Sequence, residues 1–104
     1  MTSSVEQGRA AFARRAWGEA FAAFAAAEGV RLDAVDQEQL AVCAYLVGAD
    51  ERCTTAWEAA HRAALEAGDP ADAARYAFWM AFCLMLRGQM AQAGGWLATI
   101  AQPA

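Results

Sequence analysis

A stripe of four residues recurs three times in this chain, and nothing else in the sequence constrains the fold as strongly. Trp17, Ala20, Phe24 and Ala27 are spaced three, four and three residues apart, which places them on one side of a helix. Asp50, Cys53, Trp57 and Ala60 repeat that spacing 33 residues later, and Met90, Ala93, Leu97 and Ile100 repeat it after a further 40. Periods of this size mark stacked supersecondary units, each of which needs its neighbour to bury its apolar face. The expectation is an all-α fold, an α-α superhelix of three antiparallel helix hairpins with about six helices. All 104 residues form one domain on this reading, with repeats at about 3–28, 36–67 and 70–101.

Composition agrees. Hydrophobic residues make up 59% of the chain, but thirty of these are alanine, the best helix former and small enough to let helices approach closely. The longest apolar run, Tyr76 to Leu86, is eleven residues, which suits a buried helix and is too short to span a bilayer. The net charge of -4 argues against a polyanion-binding surface. All eight cations are arginine, which with the alanine content suggests a GC-rich, actinobacterial genome. Met1 to Ser4 lead into no apolar segment, so no signal peptide is expected. Cys43, Cys53 and Cys83 are odd in number and widely spaced, which argues against a disulfide framework or a zinc site and for a cytoplasmic home.

Local signals place the helices. Ser3-x-x-Glu6 and Ser4-x-x-Gln7 are overlapping capping boxes that start the first helix. No glycine or proline marks a break at Arg15-Ala16, so periodicity alone allows one helix from Ser4 to Glu28, and only the repeat comparison puts a turn there. The second helix runs from about Gly18 to Glu28, with Gly29 as its stop. Val30 to Val35 form a connector with Leu32 tucked inward, and a third helix starts near Asp33 or Asp36 and ends at Gly48. The fourth runs from Asp50 to about Ala67. Gly68-Asp69-Pro70-Ala71-Asp72 is a stop, a cap and a first-turn proline in succession, opening a fifth helix that runs to Arg87. That helix is apolar on nearly all sides, as a helix is when it is buried or binds something. The sixth spans about Met90 to Ala101, with a soft spot at Gly94-Gly95.

Small residues at Gly8, Ala41 and Ala81, turn residues at Arg15, Gly48 and Gly88, small residues at Ala20, Cys53 and Ala93, large ones at Phe24, Trp57 and Leu97, and a last set at Ala27, Ala60 and Ile100 together resemble the tetratricopeptide repeat (TPR). Arg15, Leu97 and Ile100 depart from that pattern. A narrower resemblance lies in Gly8 to Trp17, Ala44 to Gly48, Arg75 to Trp79, Arg87 to Ala91 and Gly94 to Ala98, which together look like the TPR-like region of actinobacterial LuxR-type transcriptional regulators. It implies that the chain is either part of a longer regulator or a stand-alone relative. DNA binding does not carry over, since no residues match the helix-turn-helix part.

In TPR hairpins the first helix of each pair lines the concave face. The resemblance therefore points to a partner-binding groove of Arg9, Phe12, Val42, Tyr45, Arg75, Phe78, Phe82 and Met85, with Val5, Ala13, Glu38, Leu46 and Leu86 as further ladder positions. Such a groove suits an apolar helix, an extended peptide or a hydrophobic small molecule; alternatively these residues pack on each other or on a further repeat. Val5, Arg9 and Val42 stand where the carboxylate clamp of chaperone-binding relatives needs other residues, which excludes that role. Trp96, Leu97 and Ile100 form either a self-association surface, giving a homodimer, or a stripe turned wholly inward. His61 is the sole histidine, with Glu58 the only carboxylate within a turn on its face, and no nucleophile, phosphate loop or metal-ligand spacing accompanies it. Cys43 and Cys83 occupy equivalent repeat positions and read as small core residues, and Glu58-x-x-x-Arg62 as a solvated pair. The expected protein is non-catalytic, with no cofactor and no membrane or direct nucleic acid contact: a protein-interaction or regulatory module. A small-molecule sensor of the same fold with its pocket under the fifth helix, or a self-assembling scaffold, is the alternative.

Overall fold

The computed structural model describes residues 3–27 and 32–101. Six helices follow one another: α1 (Ser4–Ala13), α2 (Trp17–Ala26), α3 (Ala34–Leu46), α4 (Asp50–Glu66), α5 (Pro70–Leu86) and α6 (Met90–Ala101). No strand occurs among the described residues. Each helix packs on the next, and α1 also reaches α3, so adjacent hairpins stack as a helical superhelix does.

The stretch that periodicity left open as one helix or two is two. Arg15 breaks it by adopting φ 61°, the left-handed conformation that Gly48, Gly68 and Gly88 adopt at φ 84°, 74° and 77°. Each turn closes in the same way. The N–H after the left-handed residue donates to a carbonyl five positions back: Ala16 to Ala11 at 2.9 Å, Ala49 to Ala44 at 2.8 Å, Asp69 to Ala64 at 2.9 Å, and Gln89 to Leu84 at 2.9 Å. These are Schellman turns, which satisfy carbonyls that a helix end would otherwise leave unpaired. The link between α4 and α5 uses the same turn as the links within hairpins. α2 ends at Ala26, with Ala27 as its C-cap, short of the expected Glu28; Glu28 and the expected stop Gly29 lie outside the described residues.

Side-chain caps divide the helices into two kinds. Ser3 accepts from the Glu6 N–H at 3.1 Å, Asp33 from the Asp36 N–H at 2.8 Å and Asp69 from the Asp72 N–H at 3.1 Å, opening α1, α3 and α5. Neither α2 nor α4 has a side-chain cap, because alanine, at Ala16 and Ala49, stands at the N-cap where α5 has Asp69. The Gly94-Gly95 pair does not interrupt α6, which is continuous from Met90.

The core follows the repeat register. Gly8, Ala41 and Ala81 are buried, as are Ala20, Cys53 and Ala93. Phe24 and Trp57 fill the space between helices, each contributing about 1.5–3 kcal/mol by burial. The third repeat differs. Leu97 is 40% exposed, because among the described residues no helix lies over the outer face of α6, and Trp96 turns inward instead, half-buried against the core. Leu32 is tucked against the core as its connector position suggests.

Candidate functional site

Two faces of α5 carry its apolar residues. Ala73, Tyr76, Ala77, Met80, Ala81 and Leu84 face the core, and Tyr76 is wholly buried. Phe78, Trp79, Phe82, Met85 and Leu86 lie on the opposite face and stay exposed. A helix apolar all round has thus resolved into one core face and one open face. Exposure of five large apolar side chains on one helix has to be set against their neighbours, since contiguous patches of this kind mark binding surfaces.

Facing them is the C-terminal half of α3, where Tyr45 and Leu46 are also exposed. Between the two helices lies a cleft of about 280 Å³, lined by Val42, Tyr45 and Leu46 of α3 and by Trp79 and Phe82 of α5, with Trp57 and Cys83 as its buried members and Glu38 at one end. The rings brace one another. Phe78 stacks on Phe82 with centroids 6.5 Å apart, Trp79 meets Phe82 edge-on at 5.9 Å, and Trp79 stacks on Trp57 at 6.3 Å. These contacts hold the aromatic wall in place without a ligand.

The polar end of the cleft is internally neutralised. Arg75 donates from Nη1 to Glu38 Oε2 at 2.8 Å, and the Tyr76 hydroxyl donates to Glu38 Oε1 at 3.1 Å. The Arg75 guanidinium also lies over the Tyr76 ring, 4.6 Å from its centroid. Hydrogen bonding to Glu38 raises the Arg75 pKa further above its ordinary value, while burial, followed by the Glu38 charge, pushes the Tyr76 phenol up. With its charge met by Glu38, Arg75 ties α5 to α3 beside the Glu38 end of the cleft.

Of the residues the sequence grouped into one groove, the structure brings Val42, Tyr45 and Phe82 to this cleft, with Phe78 stacked beside them and Arg75 at the Glu38 end. Met85 is exposed further along α5 and does not line it. Arg9 and Phe12 are elsewhere. Arg9 forms a bidentate pair with Asp36, Nε to Oδ1 and Nη2 to Oδ2, both at 2.7 Å, with Asp33 at 3.8 Å. Phe12 packs edge-on against Trp17 at 5.3 Å. The expected ladder across α1, α3 and α5 is thus a cleft between α3 and α5 alone, because α1 spends its long side chains on α2 and on the start of α3.

The group at the end of the chain also separates. Trp96 meets the His61 ring edge-on at 5.1 Å, Leu97 is exposed, and Ile100 is half-buried. His61 donates from Nδ1 to the Ala73 carbonyl at 2.8 Å, so it joins α4 to α5 and supports Trp96. Glu58 pairs with Arg62 at 3.1 Å on the exposed side of α4.

Two features escaped the sequence. Trp79 joins the cleft wall although the repeat comparison did not assign it to the groove. Cys83 pairs with Cys53, sulfur to sulfur 3.8 Å apart, while its repeat equivalent Cys43 stays alone and burial pushes its thiol up to about 11. The repeat register held a signal for this pair. Cys53 and Cys83 correspond to Ala20 and Cys43 one unit earlier, likewise on two consecutive packed helices, and cysteine stands at both positions only in the later unit.

Comparison with protein-family models, curated proteins and solved structures finds no match to this chain. Among the described residues no helix is long and apolar enough to cross a membrane. Nor, among them, does any group of three or more His, Cys, Asp or Glu stand where it could hold a metal ion.

Proposed function

We propose that this chain is a non-catalytic interaction module whose cleft between α3 and α5 receives an apolar segment of a partner protein. The observation that carries the reading is the open aromatic wall of Phe78, Trp79 and Phe82 facing Tyr45 and Leu46, with its polar end already neutralised by the Arg75–Glu38 pair. A cleft so lined favours an uncharged occupant with one or two large apolar anchors, and aromatic pockets of this kind supply most of the energy at protein interfaces. The volume of about 280 Å³ lies at the lower edge of enclosed small-molecule sites, which favours a side-chain anchor over a metabolite. The likeness of the repeat pattern to the TPR-like region of LuxR-type regulators supports placing the module in transcriptional regulation, acting through a protein contact.

Selection of displayed random peptides against the folded chain tests this reading. The expected winners carry two apolar anchors at helical spacing and lose binding to a Phe82→Glu variant. Winners that are charged and apolar-poor, or that bind the variant equally well, would overturn it. Tryptophan fluorescence titrated with apolar metabolites separates the sensor alternative, which requires a saturable response of Trp79 to a small molecule.

A further inference from the structure

Cys53 on α4 and Cys83 on α5 are both buried free thiols with their sulfurs 3.8 Å apart. Buried does not mean sealed. Cys83 lines the apolar cleft beside Trp79 and Phe82. Both cysteines line a second cavity of about 220 Å³ with Tyr45, Asp50, Leu86 and Arg87. A small oxidant therefore has two approaches to Cys83, and Cys43 lines neither cavity.

The pair is also asymmetric. With the Cys53 thiol as donor, its hydrogen bond to the Cys83 sulfur holds Cys83 below the ordinary thiol range, against burial and Asp50, and with help from Trp57 and Arg87. The same bond, followed by burial, raises Cys53. Redox-reactive cysteines share this arrangement of one thiol inclined to ionise, reachable from solvent and set beside a second thiol that can resolve it.

We propose that Cys53 and Cys83 form a hydroperoxide-reactive dithiol, a modification site that closes to a disulfide joining α4 to α5. The Cys83 thiolate attacks the terminal oxygen of a hydroperoxide. A sulfur–oxygen bond forms as the oxygen–oxygen bond breaks, and the departing oxygen takes up a proton as water or an alcohol. Sulfur loses two electrons and the peroxide gains them. Cys53 then gives up its proton and attacks the Cys83 sulfur. The sulfur–sulfur bond forms, the sulfur–oxygen bond breaks, and the hydroxyl leaves with that proton as water. In sum, two thiols and one hydroperoxide yield a disulfide, an alcohol or water, and one further water, and a thiol reductant restores the pair. The geometry asks little movement of the helices, since the sulfurs are already in contact. Cys83 lines the cleft beside Trp79 and Phe82, so the disulfide forms at the wall of that cleft.

The test treats the folded wild-type chain with stoichiometric hydrogen peroxide and maps its peptides without reduction. The expected products are a monomer with a Cys53–Cys83 linked peptide and an unmodified Cys43, a higher Tm, and reversal of both changes by dithiothreitol. Cys53→Ser should leave a sulfenic acid at Cys83 that a cyclic dione traps, and Cys83→Ser should leave Cys53 unoxidised. Intact monomer lacking the linked peptide, cross-linking between copies, or oxidation of Cys43 ahead of Cys83 would each overturn the proposal. The wild-type mapping decides without the variants, so a variant that fails to fold does not shield the proposal.

Discussion

Gly8 stands so close to Phe24 that a Cβ at position 8 would lie 2.9 Å from both Cδ1 and Cε1 of the ring. Phe24 is 2% exposed and fills the space between α1, α2 and the core, so the ring has no room to retreat. Gly8→Ala should destabilise the chain by about 1–3 kcal/mol through overpacking. Phe24→Leu should reduce that cost, because it removes the ring atoms that the new methyl meets. Urea unfolding of both single variants and the double variant checks this, and additive effects would contradict the contact.

Arg15 holds a left-handed conformation that three glycines hold elsewhere, and only Arg15 carries a Cβ there. Arg15→Gly should stabilise the chain by about 1 kcal/mol, since the conformation costs a branched backbone about that much. Gly48→Ala should do the reverse, and purely through the backbone, because nothing lies within 4 Å of a Cβ at that position. Thermal unfolding should show the two Tm shifts with opposite signs.

Asp36 is buried at 3% exposure and receives both bonds of the Arg9 fork. Hydrogen bonding from Arg9, with burial opposing, holds its carboxyl below the ordinary range. A lowered folded pKa means that the pair stabilises the fold above the unfolded value of about 3.9 and loses that contribution as pH falls through the lowered value. Asp36→Asn should therefore cost about 1–3 kcal/mol at neutral pH, with the gap to wild type narrowing in acid. A gap that stays constant down to the acid transition would show that the charge is not what matters. The same arginine cannot serve an incoming partner while it holds Asp36.

Trp96 and Leu97 are neighbours with opposite fates. Trp96→Ala should destabilise by about 1–3 kcal/mol, because the ring packs on His61 and the core. Leu97→Ala should change stability by less than about 0.5 kcal/mol. Leu97→Glu is consequently the variant that tests self-association by sedimentation without disturbing the fold, and a monomeric wild type would remove the homodimer reading.

The repeat register made much of this legible. Three stripes at matching spacing located α2, α4 and α6, and the turn at Arg15 emerged from comparison with Gly48 and Gly88 although no local signal marked it. Buried small positions followed the same register through Gly8, Ala41 and Ala81. Legibility failed where side chains choose between neighbours. Arg9 and Phe12 share a helix face with the groove positions, yet a carboxylate at Asp36 and a ring at Trp17 claim them. Leu97 occupies the slot of Phe24 and Trp57, but among the described residues no helix covers it, and its neighbour Trp96 fills the gap. The open face of α5 was apparent as apolarity on all sides, and the repeat register had already set Val42, Tyr45 and Leu46 of α3 beside it, whereas the part of Trp79 in the wall and the separation of α1 came only with the three-dimensional arrangement.

The most direct test of the cleft is a pair of affinities for one selected apolar peptide, measured against wild type and Phe82→Ser at equal folded fraction. Phe82 is 41% exposed but braces Phe78 and Trp79, so the substitution should cost about 0.5–1.5 kcal/mol of stability, which comparison at equal folded fraction removes from the affinities. Binding should weaken at least about tenfold, the loss expected when an aromatic anchor of an interface is removed. Equal affinities for the two proteins would contradict the assignment of the cleft between α3 and α5 as the binding site.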